Sequence, residues 1–130
     1  MMELKEYFGN TKGRGVLATA DSQGKTDAAV FARPHVMDDG TLAFIMPDRL
    51  THHNLQENDH ATYLFMEEGR EYKGKRLFLI KIREKEDPEL IQSLSRRKYA
   101  YQRGYEEQTR YVVFFKIDKV LPLIGAGDEQ

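Results

Sequence analysis

The sequence contains no cysteine among its 130 residues. This absence excludes disulfide bonds, thiol nucleophiles and cysteine-ligated iron–sulfur clusters. Residues 1–6 contain no apolar core of the kind that a secretory signal requires. Both observations fit a reducing compartment, and we expect a cytoplasmic protein.

Charge of one sign and long apolar runs are also missing. The 20 Lys and Arg residues against 21 Asp and Glu residues leave a net charge of -1. No bulk electrostatic argument therefore favours nucleic acid or an anionic membrane surface. No apolar run approaches the roughly 20 residues that span a bilayer. We expect neither a nucleic-acid partner nor a membrane.

The chain does have the composition of an ordinary globular domain. Apolar residues make up 40% and charged residues 32% of it, as is typical of folded domains. Its length suits one domain, and no repeat, low-complexity stretch or linker divides it. We predict a single domain over residues 1–130.

Six segments have the composition and the flanking turn residues of β-strands. They cover residues 16–20, 26–37, 41–46, 61–66, 76–83 and 111–120. Short helices are predicted over residues 2–11, 51–58 and 87–98. Because long alternation of strand and helix is absent, the pattern indicates a mainly β chain that forms a closed or split antiparallel barrel.

Local signals refine these boundaries. Pro34 lies inside the second predicted strand and demands a bulge or a sheet edge, because proline cannot donate to the ladder. Asp39-Gly40 predicts a two-residue hairpin turn. Thr51 is predicted to cap the second helix, and Asp87 to cap the third.

The sequence also predicts a role for two glycines before the first strand and the orientation of the side chains in the fifth. Residues 13–15, Gly-Arg-Gly, are expected to let the chain turn into the first strand. In the fifth predicted strand, Phe78, Ile80 and Ile82 alternate with two cationic residues, so the three apolar side chains should share one face.

Four stretches carry a family resemblance. They are GVLATA at 15–20, DGTLAFIMP at 39–47, RLTHHNLQEN at 49–58 leading into ATYLF at 61–65, and VVFFKI at 112–117. Their order and spacing resemble those of the FMN-binding split-barrel proteins of the pyridoxamine 5'-phosphate oxidase-like superfamily. The resemblance covers most of residues 4–125.

The resemblance implies a six-stranded antiparallel Greek-key split β-barrel that works as a homodimer, with one FMN in each of two clefts between the protomers. It implies that the FMN phosphate is held in the loop after the third strand, where Arg49 and Thr51 lie. The isoalloxazine would lie against the second strand. The residues that match this flavin-facing stretch are Ala29, Val30, Phe31, Ala32 and Arg33.

The residue types at Arg49 and Thr51 also favour phosphate binding without the resemblance. Arginine is a planar cation with several donors and suits a phosphate. A helix N-terminus adds backbone N–H groups and the positive end of a dipole. From the residues alone, a solvated loop arginine beside an ordinary threonine cap is an equally good interpretation.

Other chemistry-bearing residues favour simpler interpretations. His52 and His53 do not indicate a metal site, because adjacent helical side chains point about 100° apart; they indicate a polar helix surface with one histidine near the ligand. The tyrosines of residues 99–105 alternate with basic residues, a pattern that can bind single-stranded nucleic acid. Acidic residues follow at once and argue against such binding. A surface loop that packs these tyrosines on the barrel is favoured, with a lid over a ligand second.

No GxGxxG, P-loop, GxSxG or HExxH motif occurs, and no catalytic acid–base pair stands out. Flavin supplies hydride or electron chemistry itself. We therefore expect an FMN-dependent oxidoreductase or electron carrier with a small-molecule substrate or redox partner. Two alternatives stay open: a non-catalytic module for flavin or haem, with His35 or His60 as the axial ligand, and a deazaflavin enzyme.

Overall fold

The computed structural model describes residues 2–95 and 109–125. The predicted tyrosine-rich segment of residues 99–105 lies outside that part of the chain. Within it the strands form one antiparallel sheet in the order β2-β1-β5-β6-β7-β4-β3. The elements in chain order are α1 Met2–Asn10, β1 Gly13–Ala20, β2 Thr26–Val30, β3 His35–Val36, β4 Leu42–Pro47, α2 Leu50–Glu57, β5 His60–Glu67, β6 Gly74–Lys85, α3 Pro88–Leu94 and β7 Arg110–Pro122. None of the described helices is long and apolar enough to cross a lipid bilayer.

The predicted second strand is two strands, so the predicted count of six is wrong and the described sheet has seven. β2 ends at Val30 and β3 begins at His35, and the two lie at opposite edges of the sheet. Pro34 lies in the link between them, where a residue without an N–H cannot extend the ladder. The chain therefore leaves one edge at Val30 and joins the other at His35.

This short link forces the sheet to curl. Five residue steps from Val30 to His35 span at most about 18 Å. Seven strands in a flat sheet would hold the outer two about 29 Å apart, at roughly 4.8 Å per step. The edges must therefore approach each other. They are not hydrogen-bonded to one another, so the sheet is curled but not closed.

The hairpin between β3 and β4 confirms the turn predicted at residues 39–40, with a longer loop. Met37 N–H donates to Thr41 O at 2.8 Å, and Gly40 N–H donates to Met37 O at 3.0 Å. Three residues thus form the loop instead of the predicted two. Gly40 has a φ of 88°, and a residue in this left-handed region completes such a three-residue turn. Asp39 Oδ1 accepts from the Thr41 hydroxyl at 2.7 Å.

The inside of the curled sheet is the main core. The two helices α1 and α2 pack against it through Phe8 and Leu55, both buried. The sheet residues buried there are Leu17, Leu42, Phe44, Met46, Ala61, Tyr63, Phe65, Leu77, Leu79, Val113 and Phe115. A second cluster lies on the outer face, where Ile91 of α3 packs with Ala43, Val112 and Phe114.

Helix α3 begins as predicted and ends earlier. The Asp87 carboxylate accepts from Leu90 N–H at 3.1 Å, and Pro88 follows it at the first helical position. Ser95 has an extended backbone, with ψ of 128°. The helix therefore stops at Leu94, and residues 96–98 of the predicted helix lie outside the described part of the chain.

In β6 the face buried in the core is not the one to which the sequence assigned Phe78, Ile80 and Ile82. Leu77 and Leu79 are buried, while Phe78 and Ile80 lie on the other face and are half-buried. A bulge between Lys81 and Arg83 then makes Ile82 an extra residue without a partner on β7. Ile82 is 43% exposed.

Gly15 lies inside β1, so the expectation that it turns the chain into this strand is wrong. Its missing side chain makes room for Tyr63 on the neighbouring strand β5. An added Cβ would lie 1.8 Å from the Tyr63 hydroxyl oxygen. That hydroxyl donates to Phe31 O at 3.0 Å. Gly15 therefore allows Tyr63 to anchor the link between β2 and β3.

We predict that Gly15→Ala lowers the free energy of unfolding by about 1–3 kcal/mol, because the overpacked core must shift. Chemical denaturation measures the change. Gly9→Ala is the matched control, since nothing lies within 4 Å of its added Cβ. The control should leave stability unchanged or raise it by up to about 1 kcal/mol. Equal stabilities for the two variants would contradict the assignment of Gly15.

Candidate functional site

A groove of about 890 Å³ lies where the two edges of the curled sheet approach each other. Its size is within the range of roughly 300–1,000 Å³ that small-molecule sites occupy. Most of its lining comes from three chain segments. They are the start of β1 at residues 12–15, the end of β2 and the link at residues 29–33, and the passage from β4 into α2 at residues 43–47 and 49–51.

All seven residues that the sequence singled out line this groove. Arg49 and Thr51 lie at the start of α2, and Ala29–Arg33 form the wall along β2 and the link. Segments separated by some twenty residues in the sequence thus meet at one surface. That these residues bind a flavin stays a prediction.

The groove concentrates positive charge in a nearly neutral chain. Four basic side chains line it, those of Lys12, Arg14, Arg33 and Arg49, against one carboxylate, that of Asp27. Clefts lined by one sign of charge raise the local concentration of the opposite ion. The arrangement therefore suits an anionic ligand.

Arg33 also has a structural role, because its side chain binds the backbone at the end of α1. Its Nη1 donates to Phe8 O at 2.7 Å and to Thr11 O at 2.9 Å. Phe8 O belongs to the last turn of α1, whose carbonyls lack partners within the helix. Arg33 thus ties the end of α1 to the link that lines the groove.

Thr51 is not the cap of α2, which is a correction to the sequence-based prediction. The N-cap is Arg49, with φ of -136° and no side-chain capping bond. Its carbonyl oxygen accepts from His53 N–H at 2.9 Å, so the helix starts at Leu50. The amides of Leu50, Thr51 and His52 then have no partner inside the helix.

Thr51 is buried in the first turn and faces β2. Its hydroxyl lies 3.5 Å from Asp27 Oδ2. One turn later, Asn54 Nδ2 donates to Thr19 Oγ1 on β1 at 3.0 Å, and this bond is buried. These polar contacts fix α2 against the sheet, and no sequence motif predicted them.

His52 is buried, whereas the sequence predicted a polar helix surface here. Its ring stacks on Tyr111 of β7, with centroids 3.9 Å apart and planes 6° apart. Nδ1 lies 3.3 Å from Asp48 Oδ1, and Nε2 lies 3.0 Å from Glu84 Oε2. His53 is exposed and its Nε2 is 3.2 Å from the same Asp48 oxygen. Within the described residues, no cluster of three ligating side chains could hold a metal ion.

Glu84, the carboxylate beside His52 Nε2, has a strongly lowered pKa. Burial alone would raise its pKa, but hydrogen bonds from Gln56, His52 and Lys81 outweigh burial and lower the pKa to about 2. Gln56 Nε2 and Lys81 Nζ both lie 3.0 Å from Glu84 Oε1. The ionised form of Glu84 is therefore favoured by the folded state.

We predict that Glu84 stabilises the fold only in its ionised form. Its pKa falls from 4.5 to about 2 on folding. The contribution is therefore complete above pH 4.5 and is lost as the pH falls toward 2. Glu84→Gln should cost about 1–3 kcal/mol at neutral pH. Chemical denaturation at several pH values should show this difference shrinking in acid. Glu71→Gln, in an exposed loop, is the control, and a difference that stays constant with pH would contradict the assignment.

The two histidines considered as haem ligands lie in different places. His35 lines the groove. His60 begins β5, is exposed and pairs with Ile80 on β6. A haem in the groove would therefore find His35 and not His60.

No protein-family model matches the chain, and no curated protein matches it in sequence. Solved structures do match its fold. An FMN-binding protein from Syntrophomonas wolfei subsp. wolfei has a TM-score of 0.74 at 18% identity, covering 93% of this chain and 84% of that one. HupZ of Group A Streptococcus has a TM-score of 0.69 at 15% identity, covering 100% and 98%.

A third match is a putative pyridoxamine 5'-phosphate oxidase from Lactobacillus delbrueckii. It has a TM-score of 0.66 at 16% identity and covers 93% of this chain and 92% of that one. The chain shares the fold of these three solved structures, one of which is a putative pyridoxamine 5'-phosphate oxidase. This fold confirms the resemblance predicted from the four sequence stretches. At these identities the likeness concerns the fold, and the chemistry must be argued from the groove.

Proposed function

We propose that the chain binds FMN in the groove and acts as a flavin-dependent oxidoreductase or electron carrier. The observation that supports this most is the joining, in one cavity, of a cationic end at Arg49 with an apolar wall at residues 29–32. FMN has the same division into a phosphate and a flat ring system. The similar fold of an FMN-binding protein agrees with the proposal.

The residues present fit this ligand. Arg49 would bind the phosphate, together with the amides of the first turn of α2, which have no partner inside the helix. Ala29 and Ala32 have small side chains and leave room for a ring system beside Val30. When bound, flavin supplies the hydride or electron transfer itself. The chain has only to hold it, orient it and control access to it.

We further propose that a second copy of the chain covers the groove, within the Greek-key split barrel that the superfamily implies. Val30 and Leu50 both line the groove and are 82% and 56% exposed. Two large apolar side chains at an open cavity favour a partner surface. We predict a homodimer by light scattering after gel filtration, and a mainly monomeric Val30→Asp/Leu50→Asp double variant. A monomeric wild-type chain at micromolar concentration would contradict this.

His35 supports haem as the second candidate, because it lines the same groove. The absorption spectrum of the purified protein distinguishes the two, since flavin and haem differ in band shape and intensity. A deazaflavin stays the third candidate and would bind in preference to FMN when both are titrated.

We predict that Arg49→Ala weakens FMN binding by about 10- to 150-fold, because it loses a charge-assisted hydrogen bond of roughly 1.5–3 kcal/mol. Riboflavin lacks the phosphate, so its affinity should stay unchanged. Titration of the apoprotein with each flavin, followed by fluorescence, gives both values. Arg70→Ala, in an exposed loop away from the groove, is the control. If Arg49→Ala weakens riboflavin as much as FMN, the arginine does not bind the phosphate.

Removing the charge of Asp27 is predicted to strengthen FMN binding, whereas Arg49→Ala is predicted to weaken it. Its carboxylate lies beside Thr51, at the proposed phosphate end of the groove, and it must repel a phosphate there. Asp27→Asn should therefore tighten FMN binding by about 3- to 10-fold, or ~0.7–1.4 kcal/mol, and leave riboflavin unchanged. Asp118→Asn on an exposed part of β7 is the control. Weaker FMN binding in Asp27→Asn would mean that the carboxylate holds the ligand and that the phosphate lies elsewhere.

A further inference from the structure

We propose that His52, as an imidazolium held between two carboxylates, is a positioning residue that fixes the start of α2 for anion binding. This inference rests on the proposed placement of the phosphate beside Arg49. It assigns a role to the cluster of Asp48, His52 and Glu84, none of which lines the groove.

The charge of His52 follows from its partners. Nδ1 lies 3.3 Å from Asp48 Oδ1 and Nε2 lies 3.0 Å from Glu84 Oε2. An ionised carboxylate accepts hydrogen bonds and cannot donate them, and a neutral imidazole has only one N–H. Both contacts are hydrogen bonds only when both ring nitrogens carry a proton. The side chain is 6% exposed, so water does not replace either partner.

Gln56 supports the same charge state. Its Nε2 donates to His52 O at 3.2 Å and to Glu84 Oε1 at 3.0 Å. These two bonds use both hydrogens of the amide. The 3.1 Å contact between Gln56 Nε2 and His52 Nε2 therefore has no hydrogen left to give, and His52 Nε2 is free to donate to Glu84.

The charged groups around the ring come from every element that packs on it. Asp48 directly precedes the N-cap of α2, His53 lies within α2, and Lys81 and Glu84 lie on β6. On β7 the Tyr111 ring covers one face of the imidazole. Glu86 follows β6 and adds a further negative charge near Tyr111. These surroundings contain three carboxylates and the ammonium group of Lys81.

This cluster connects the anion end of the groove to the sheet. Asp48 directly precedes Arg49, and its backbone N–H donates to Thr109 O at 3.2 Å. His52 lies one turn further along the same helix and reaches β6 through Glu84. Loss of the imidazolium would release Asp48 from one side and Glu84 from the other. Arg49 and the amides of the first turn would then lose their fixed orientation toward the groove.

The test compares FMN and riboflavin affinities for His52→Gln. We expect FMN to bind about 5- to 30-fold more weakly, with riboflavin affinity unchanged and with the dimer or monomer state as in the wild type. Glu84→Gln should show the same selective loss, since it removes the other half of the contact and does not line the groove. His53→Gln is the matched control: the residue is adjacent, exposed and in contact with the same Asp48 oxygen, and should bind both flavins as the wild type does.

Ring ¹⁵N NMR of the wild-type chain tests the charge directly and does not depend on how the variants fold. An imidazolium gives two similar ring-nitrogen shifts, and a neutral ring gives two widely separated ones. We expect the imidazolium pattern for His52 at neutral pH. A neutral ring, or a folded His52→Gln chain that keeps the wild-type preference for FMN over riboflavin, would overturn the inference. If the wild type itself does not prefer FMN, the proposed function fails, whatever the NMR shows.

Discussion

The link between Val30 and His35 is the constraint on which the rest of the structure depends. It joins the two outermost strands of a seven-stranded sheet in five residue steps, which no flat sheet permits. The curl that follows encloses the apolar faces of the strands and brings the sheet edges together. Tyr63 holds the link at Phe31 O, and it reaches that carbonyl only because Gly15 has no side chain.

The groove is a consequence of the same curl. Its lining comes from both edges of the sheet, from the link and from the start of α2, and none of these segments forms a cavity alone. The chain carries a net charge of -1, yet the groove gathers four cationic side chains against one carboxylate. Charge balance over the whole sequence therefore says little about the charge that a ligand meets.

The helix that presents Arg49 to the groove is held by polar contacts as much as by apolar packing. Asn54 donates to Thr19 inside the protein, and His52 lies between Asp48 and Glu84. Buried polar groups are costly unless they are paired, and paired ones allow few alternative arrangements. Such contacts hold the first turn of α2 in one orientation beside the groove.

Local patterns in the sequence determined most of the elements, because alternation, turn residues and caps act over a few residues. The strands after residue 40, the Asp87 cap and the position of Arg49 before a helix are all of this kind. Sequence also determined that residues 29–33, Arg49 and Thr51 belong together, through their resemblance to a known pattern. Only the tertiary structure decided which face of β6 is buried, that residues 26–37 are two strands, and that His52 is inside the protein. Each of these depends on residues far apart in the chain: the β6–β7 bulge, the opposite edge of the sheet, and the carboxylate of Glu84.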